Sequence, residues 1–231
     1  MTNDNWKFRP QAEAFHDGIA TMLAMNPSAK DLVHHNPVWA GGETLARWAA
    51  FFQVMQMTKH LAGHYAEVGT DKGASLLWFA KMFEQTEPRS FVECHGFDWF
   101  GGKGMSPSAN ETGIAAGSYA ADEAVLRKLI DIQNLGHVAK VHQLDATTEL
   151  GPWFKANPTP LKIALMDAGT ITEPCIPVLW ENLVPGGVLI LDHFGDARVP
   201  GEVASVRKHL PGVHVQAFGF TRHPAAYAIK H

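Results

Sequence analysis

Residues 64–80 read "HYAEVGTDKGASLLWFA", and how this stretch folds decides the architecture. Within it "YAEVG" (65–69) has the length of a short strand, and the tail from Ala74 is apolar and long enough for a helix. A carboxylate, Glu67, and two glycines, Gly69 and Gly73, stand at the handover. Glycine has no Cβ, so it permits a sharp turn and close approach of a ligand to the backbone. The spacing Glu-x-Gly-x-x-x-Gly departs from Gly-x-Gly-x-x-Gly, the dinucleotide fingerprint in which a pyrophosphate rests on a helix N-terminus. A carboxylate beside the turn repels phosphate and favours a cationic ligand, an ammonium or a sulfonium.

Beyond this stretch the same strand-then-helix unit recurs. Strand patterns lie in "RSFVECHGFD" (89–98), "AKVHQLDA" (139–146), "LKIALMDAG" (161–169) and "GVLILDHFG" (187–195). Helical patterns follow at 74–85, 118–136, 147–157, 173–187 and 200–212. Within 118–136, Ser118 is the expected cap and Gly136 the expected stop. "VHVQAFGF" (213–220) and "AAYAIKH" (225–231) are separated only by "TRHP", which predicts an antiparallel hairpin. Residues 10–60 read as helix, with Leu45, Trp48, Ala49, Phe52 and Met55 on the apolar face. The expected fold is α/β: a seven-stranded, Rossmann-like, mostly parallel sheet with helices on both faces and a C-terminal antiparallel hairpin. One domain over 1–231 is expected, with 1–60 a helical extension or lid and 61–231 the cofactor-binding core. The Gly/Ser/Asn/Pro-rich segment 101–117 is a candidate lid.

Composition narrows the function classes. The chain has 231 residues, 46% hydrophobic and 18% charged, enough for a sizeable core. Net charge is −4 and there is no basic run, which speaks against nucleic-acid binding. Two distant cysteines, Cys94 and Cys175, argue against a disulfide scaffold and fit a reducing compartment. The N-terminus lacks a signal pattern and no apolar run reaches membrane-spanning length, so a cytoplasmic protein free of membranes is expected. Trp48, Phe51, Phe52, Met55 and Met57 pack against the sheet or a second subunit, and a homodimer is the expectation.

In doubly wound sheets ligands bind beyond the carboxyl ends of the strands. This sequence places an acid at most of those ends. Asp98, 31 residues after Glu67, suits a pair of ribose hydroxyls, because a carboxylate is acceptor-only. Asp145 suits an adenine amino group or caps the next helix. Trp99 and Phe100 either flank the nucleoside or pack in the core, and Lys72 either meets the cofactor's carboxylate or stays solvated.

This pattern resembles the class I S-adenosylmethionine-dependent methyltransferases over residues 60–231. More narrowly, "EVGTDKGASLLWFA", "FDWFGG", "LMDAG" and "GGVLILDHFG" resemble the macrocin O-methyltransferase-like family, with Ala74 where a second glycine is usual. The resemblance implies methyl transfer from S-adenosylmethionine to a hydroxyl of a small molecule. It implies a cofactor site of Glu67, Gly69, Thr70, Gly73, Asp98, Trp99, Phe100, Asp145, Ala146 and Asp167. It also implies a divalent metal, Mg²⁺ or Mn²⁺, on one aspartate after the fourth strand and two after the fifth. Here these are Asp167, Asp192 and His193, and the histidine moves the preference from Mg²⁺ toward Mn²⁺, Fe²⁺ or Zn²⁺. His193 and Asp167 are the expected catalytic residues, with His95 and His142 as other base candidates. The competing readings are a nucleotide-dependent oxidoreductase, which lacks its fingerprint here, and a cofactor-binding protein without catalysis.

Overall fold

The computed structural model describes residues 8–103, 105, 117–169, 171–197 and 199–231. Among them the chain runs α1 (Arg9–Ala24), α2 (Ala29–His34), α3 (Asn36–Trp39), α4 (Gly42–Thr58), β1 (His64–Val68), α5 (Ala74–Thr86) and β2 (Cys94–Asp98). It continues α6 (Glu123–Ile132), β3 (Ala139–Gln143), α7 (Ala146–Ala156), β4 (Leu161–Met166) and α8 (Thr172–Asn182). It ends β5 (Leu183–Leu191), α9 (Gly201–His209), β6 (Val215–Ala217) and β7 (Ala226–Ile229). The seven strands form one sheet in the order β3-β2-β1-β4-β5-β7-β6, parallel except where β7 pairs antiparallel with β5 and β6. The expected fold class holds. Most of the candidate lid, residues 104 and 106–116, lies outside the described residues.

Strand alternation sorts the core into two layers. Tyr65, Ile163, Leu165, Val188 and Ile190 face one side and pack with α4, α5 and α6. Ala66, Val68, Ala164, Met166, Leu189 and Leu191 face the other and pack with α7, α8 and α9. Successive strand residues point to opposite faces, so helices on both sides require the continuous apolar runs that β4 and β5 carry.

Several local expectations are corrected. The buried residues of α4 are Ala50, Phe51, Val54, Met55 and Thr58, whereas Leu45 and Phe52 are exposed. The apolar stripe is thus turned by about one residue. Helix α6 is capped by Asp122, not Ser118: its carboxylate accepts from the Ala124 and Val125 N–H groups at 2.9 and 3.3 Å. It ends before Gly136, with Asn134 in the left-handed region at φ 55°. Residues 183–187, read as helix, open β5 instead. Strand β6 is only three residues long, so the loop before β7 is longer than "TRHP".

Candidate functional site

A cavity of about 230 Å³ opens beyond the carboxyl ends of β1, β2, β3 and β4. Gly69, Asp71, Asp98, Trp99, Asp145, Ala146, Asp167 and His193 line it, joined by Lys103 and Tyr119. Parallel strands end at one level, so side chains distant in sequence converge there.

Both glycines of the opening motif adopt positive φ, 93° at Gly69 and 82° at Gly73. Their freedom serves packing. A Cβ on Gly69 would overlap the Asp167 carbonyl oxygen, where β1 meets β4, and one on Gly73 would overlap the Leu126 side chain of α6. The sequence expectation of space opened for a ligand is therefore corrected at Gly73, which does not line the cavity.

Glu67 departs from expectation most. It shares a strand face with Tyr65, is fully buried, and accepts from the Tyr65 hydroxyl at 2.5 Å. Burial pushes its carboxyl up to about 8, so it is largely protonated at neutral pH. It is not among the cavity-lining residues, so the expected anion beside the glycine turn is absent from the cavity wall. Thr70 is buried over Gly96, and Phe100 sits in the core at φ 63°; neither lines the cavity. Lys72 is exposed and off the cavity, where Lys103 stands instead, its Nζ 5.0 Å from the centre of the Tyr119 ring.

The remaining acids are held by donors. Asp98 accepts from the Asp71 N–H at 2.8 Å and the Phe100 N–H at 2.7 Å, and burial raises its pKa against those bonds. Asp145 caps α7, accepting from the Thr147 N–H at 3.0 Å while Glu149 takes the Asp145 N–H at 2.7 Å.

Asp167 and Asp192, after β4 and β5, share a partner that the sequence reading missed. Arg47 of α4 donates through Nη2 to Asp167 Oδ2 at 2.7 Å and through Nη1 to Asp192 Oδ1. It also reaches Ser75 Oγ at 3.2 Å and lies 4.9 Å from the centre of the Phe51 ring. Burial opposes the charge on Asp192, but Arg47, His223 and His193 together hold it well below the usual carboxylate range. Asp167 is pushed up to about 7, by burial first and by the Asp192 charge second, against Arg47. Asp192 is therefore the firmly ionised member of the pair. A lone arginine within the apolar run "LARWAAFF" was the signal for this pairing.

His193 is poised beside the free side of the pair. Its Nδ1 lies 3.6 Å from Asp167 Oδ1 and from Asp192 Oδ2, is buried, and has no hydrogen-bond partner. Burial lowers its pKa to about 4, leaving a neutral imidazole at physiological pH. Glu202, fully buried, accepts the His193 backbone N–H on both carboxyl oxygens at 3.1 Å. His223, also missed, donates from Nδ1 to the Asp192 carbonyl oxygen at 2.9 Å, with its ring 4.9 Å from that of His193. The hairpin held its signal: pairing Ala226 with Leu191 carries the residues before β7 to those after β5.

The donors fit a divalent ion. Each carboxylate gives one oxygen to Arg47 and turns the other toward the orphaned Nδ1 of His193. Asp192, His193 and His223 also bring ligand atoms within 4.8 Å of one another. His95 and His142 stand elsewhere, bonded to each other at 3.1 Å and away from the cavity.

A methyltransferase-domain family profile matches residues 66–194. No curated protein matches the chain in sequence. Among solved structures, the calicheamicin methyltransferase CalS11 aligns with a TM-score of 0.79 at 19% identity, over 98% of this chain and 93% of that one. An apo structure of CalS11, described as a TDP-rhamnose 3'-O-methyltransferase, aligns at 0.73 and 18% identity, over 98% and 95%. The O-methyltransferase NovP aligns at 0.62 and 17% identity, over 80% and 79%. At these identities the likeness is one of fold. No helix among the described residues is long and apolar enough to cross a membrane.

Proposed function

The chain belongs to the methyltransferase-domain family and is by that membership an S-adenosylmethionine-dependent methyltransferase; on that basis we propose that it methylates a hydroxyl of a small molecule. The observation that carries this reading is the cavity whose one end holds Asp98 and Asp145 and whose other end holds Asp167 and neutral His193. Asp98 binds the ribose hydroxyls through lone pairs left over by its two N–H bonds, and Trp99, Asp145 and Ala146 hold the adenine. Gly69 shapes the turn over which the methionine part lies. Glu67, Thr70, Gly73 and Phe100 support that turn from beneath rather than touching the cofactor.

Methyl transfer from a sulfonium is an in-line displacement, and alignment of two bound partners contributes roughly 7–11 kcal/mol in well-oriented reactions. The acceptor hydroxyl must also lose its proton. His193 takes it, since its imidazole is neutral and faces the cavity. Alternatively, Asp167, Asp192 and His193, with His223 beside them, would hold a divalent ion, which would lower the pKa of a coordinated hydroxyl in place of the His193 base. Arg47 keeps the two carboxylates oriented in either case.

The acceptor enters through a second cavity of about 250 Å³ between α1, the start of α4 and the loop before β7. Ala46 and Arg222, chain neighbours of Arg47 and His223, line it, together with Phe15, Glu43 and Phe220. A lining of both aromatic and charged side chains suits a hydroxylated ring carrying a polar substituent. TDP-rhamnose, the sugar nucleotide for which CalS11 is named, is the first compound to assay.

The test is transfer of labelled methyl from S-adenosylmethionine to a panel of sugar nucleotides and phenols, with and without chelator. Turnover abolished by His193→Ala supports the reading. Cofactor binding without turnover on any hydroxylated acceptor rejects it. Arg222→Met should raise the acceptor KM and leave cofactor affinity unchanged.

A further inference from the structure

A second group of ligating side chains lies at the opposite end of the sheet, where β1 and β2 begin. His64, Glu93 and His95 each offer one ligand atom within 4.8 Å of the others. His95 is only 6% exposed, and its Nε2 is buried with no hydrogen-bond partner. That nitrogen lies 3.5 Å from Glu93 Oε2. A tetrahedral zinc ion with bonds of about 2.0–2.2 Å sets neighbouring ligand atoms roughly 3.3–3.6 Å apart, so this pair already has the separation that an ion between them requires.

We propose that His95, Glu93 and His64 form a second metal site, of the kind that takes Zn²⁺, which clamps the starts of β1 and β2. Two imidazoles and one carboxylate suit a borderline ion such as Zn²⁺ and poorly suit Mg²⁺. The surroundings are prepared for it. A lone pair on His95 Nε2 requires the proton on Nδ1, and Nδ1 then donates to His142 Nε2 at 3.1 Å. Such a bond behind a ligating imidazole fixes its tautomer and orientation. Glu93 is split in the same way: Oε1 faces Lys140 Nζ at 3.5 Å, and Oε2 is left for the site. His64 Nδ1 accepts from the Glu93 N–H at 3.1 Å, which holds that ring beside the other two ligands, and an ion takes the same lone pair by displacing that bond. The fourth position opens toward solvent, because the Glu93 side chain is 39% exposed.

The experiment is a titration of the chelator-stripped, full-length chain with Co²⁺, followed by visible absorption and displaced by Zn²⁺. The wild type is expected to develop a tetrahedral band at micromolar Co²⁺, and Asp192→Asn, which disables the cluster at the other end, to retain it. Glu93→Gln removes a partly exposed ligand and should fold normally. It is expected to lose the band and to weaken Co²⁺ at this site by more than tenfold, with His142→Phe weakening it by about tenfold. Zn²⁺ should raise the melting temperature of wild type and not that of Glu93→Gln. An unchanged band and affinity in Glu93→Gln, or a band lost only in Asp192→Asn, overturns the proposal. So does a wild type that shows no band below millimolar Co²⁺.

Discussion

The two ends of the parallel sheet manage buried polar groups in opposite ways. At the carboxyl end donors meet the acids: N–H groups on Asp98, a helix start on Asp145, and one guanidinium across Asp167 and Asp192 that keeps Asp192 charged. Toward the amino end His95, the second residue of β2, stays neutral and stacks on His142, the fourth residue of β3. The rings of His95 and His142 lie 5.4 Å apart at 15°, and burial lowers both pKa values, to about 3 and about 4. The contrast shows where the chain concentrates its electrostatics. Paired carboxylates collect where a cationic cofactor and a reacting hydroxyl are proposed to meet, while the far end carries neutral His95 and one buried ion pair, Lys162 Nζ to Glu87 Oε2 at 2.6 Å.

The largest effect is expected from breaking the charged end. Arg47→Met leaves two buried carboxylates without their shared cation, and removing one partner of such a group costs about 3–5 kcal/mol. Denaturant unfolding should show that loss, and Arg47→Lys, which cannot span both carboxylates as a fork, should recover only part of it. A stability unchanged in Arg47→Met would mean that the pair is solvated and unimportant.

The next predictions separate the ends by pH. His95 and His142 are depressed below the ordinary histidine value of 6.5. The unfolded chain therefore takes up protons first, and stability present above about pH 6.5 is lost as pH falls toward 3–4. Glu67 runs the other way. Its folded pKa is raised from 4.5 to about 8, so the folded state binds the extra proton and stability declines as pH rises through that window. Each contributes a slope of at most about 1.4 kcal/mol per pH unit. Glu67→Gln, which imitates the protonated carboxyl, should flatten the alkaline side, and His95→Gln the acidic side. Exchanged effects, or none, in pH-dependent unfolding would remove the assigned protonation states. The smallest expected change is in cofactor affinity of Glu67→Gln, within about threefold of wild type by calorimetry, because this side chain lies off the cavity wall.

The legible parts of the molecule were those that chain order alone dictates. Strand–helix alternation and the terminal hairpin specify the sheet, and the strand-end rule placed Asp98, Asp145, Asp167 and His193 at the cavity. What escaped depended on side-chain direction and on long-range pairing. Glu67 was placed by its neighbour Gly69, but strand alternation turns it into the α4–α5 layer beside Tyr65. Arg47 looked like an interruption in an amphipathic helix, because its partners lie 120 and 145 residues away. His95 and His142 were set near strand ends without asking which end, although His95 is only the second residue of β2.

The proposed chemistry depends above all on the carboxyl-end cavity holding the methyl donor through Asp98. The decisive measurement is calorimetric titration of wild type and Asp98→Ala with S-adenosylhomocysteine. One site is expected in the wild type, with affinity weakened by about tenfold to a hundredfold in the variant, the loss of a charged hydrogen-bonding group. Equal affinity in the two chains, or no binding to the wild type, would refute that role.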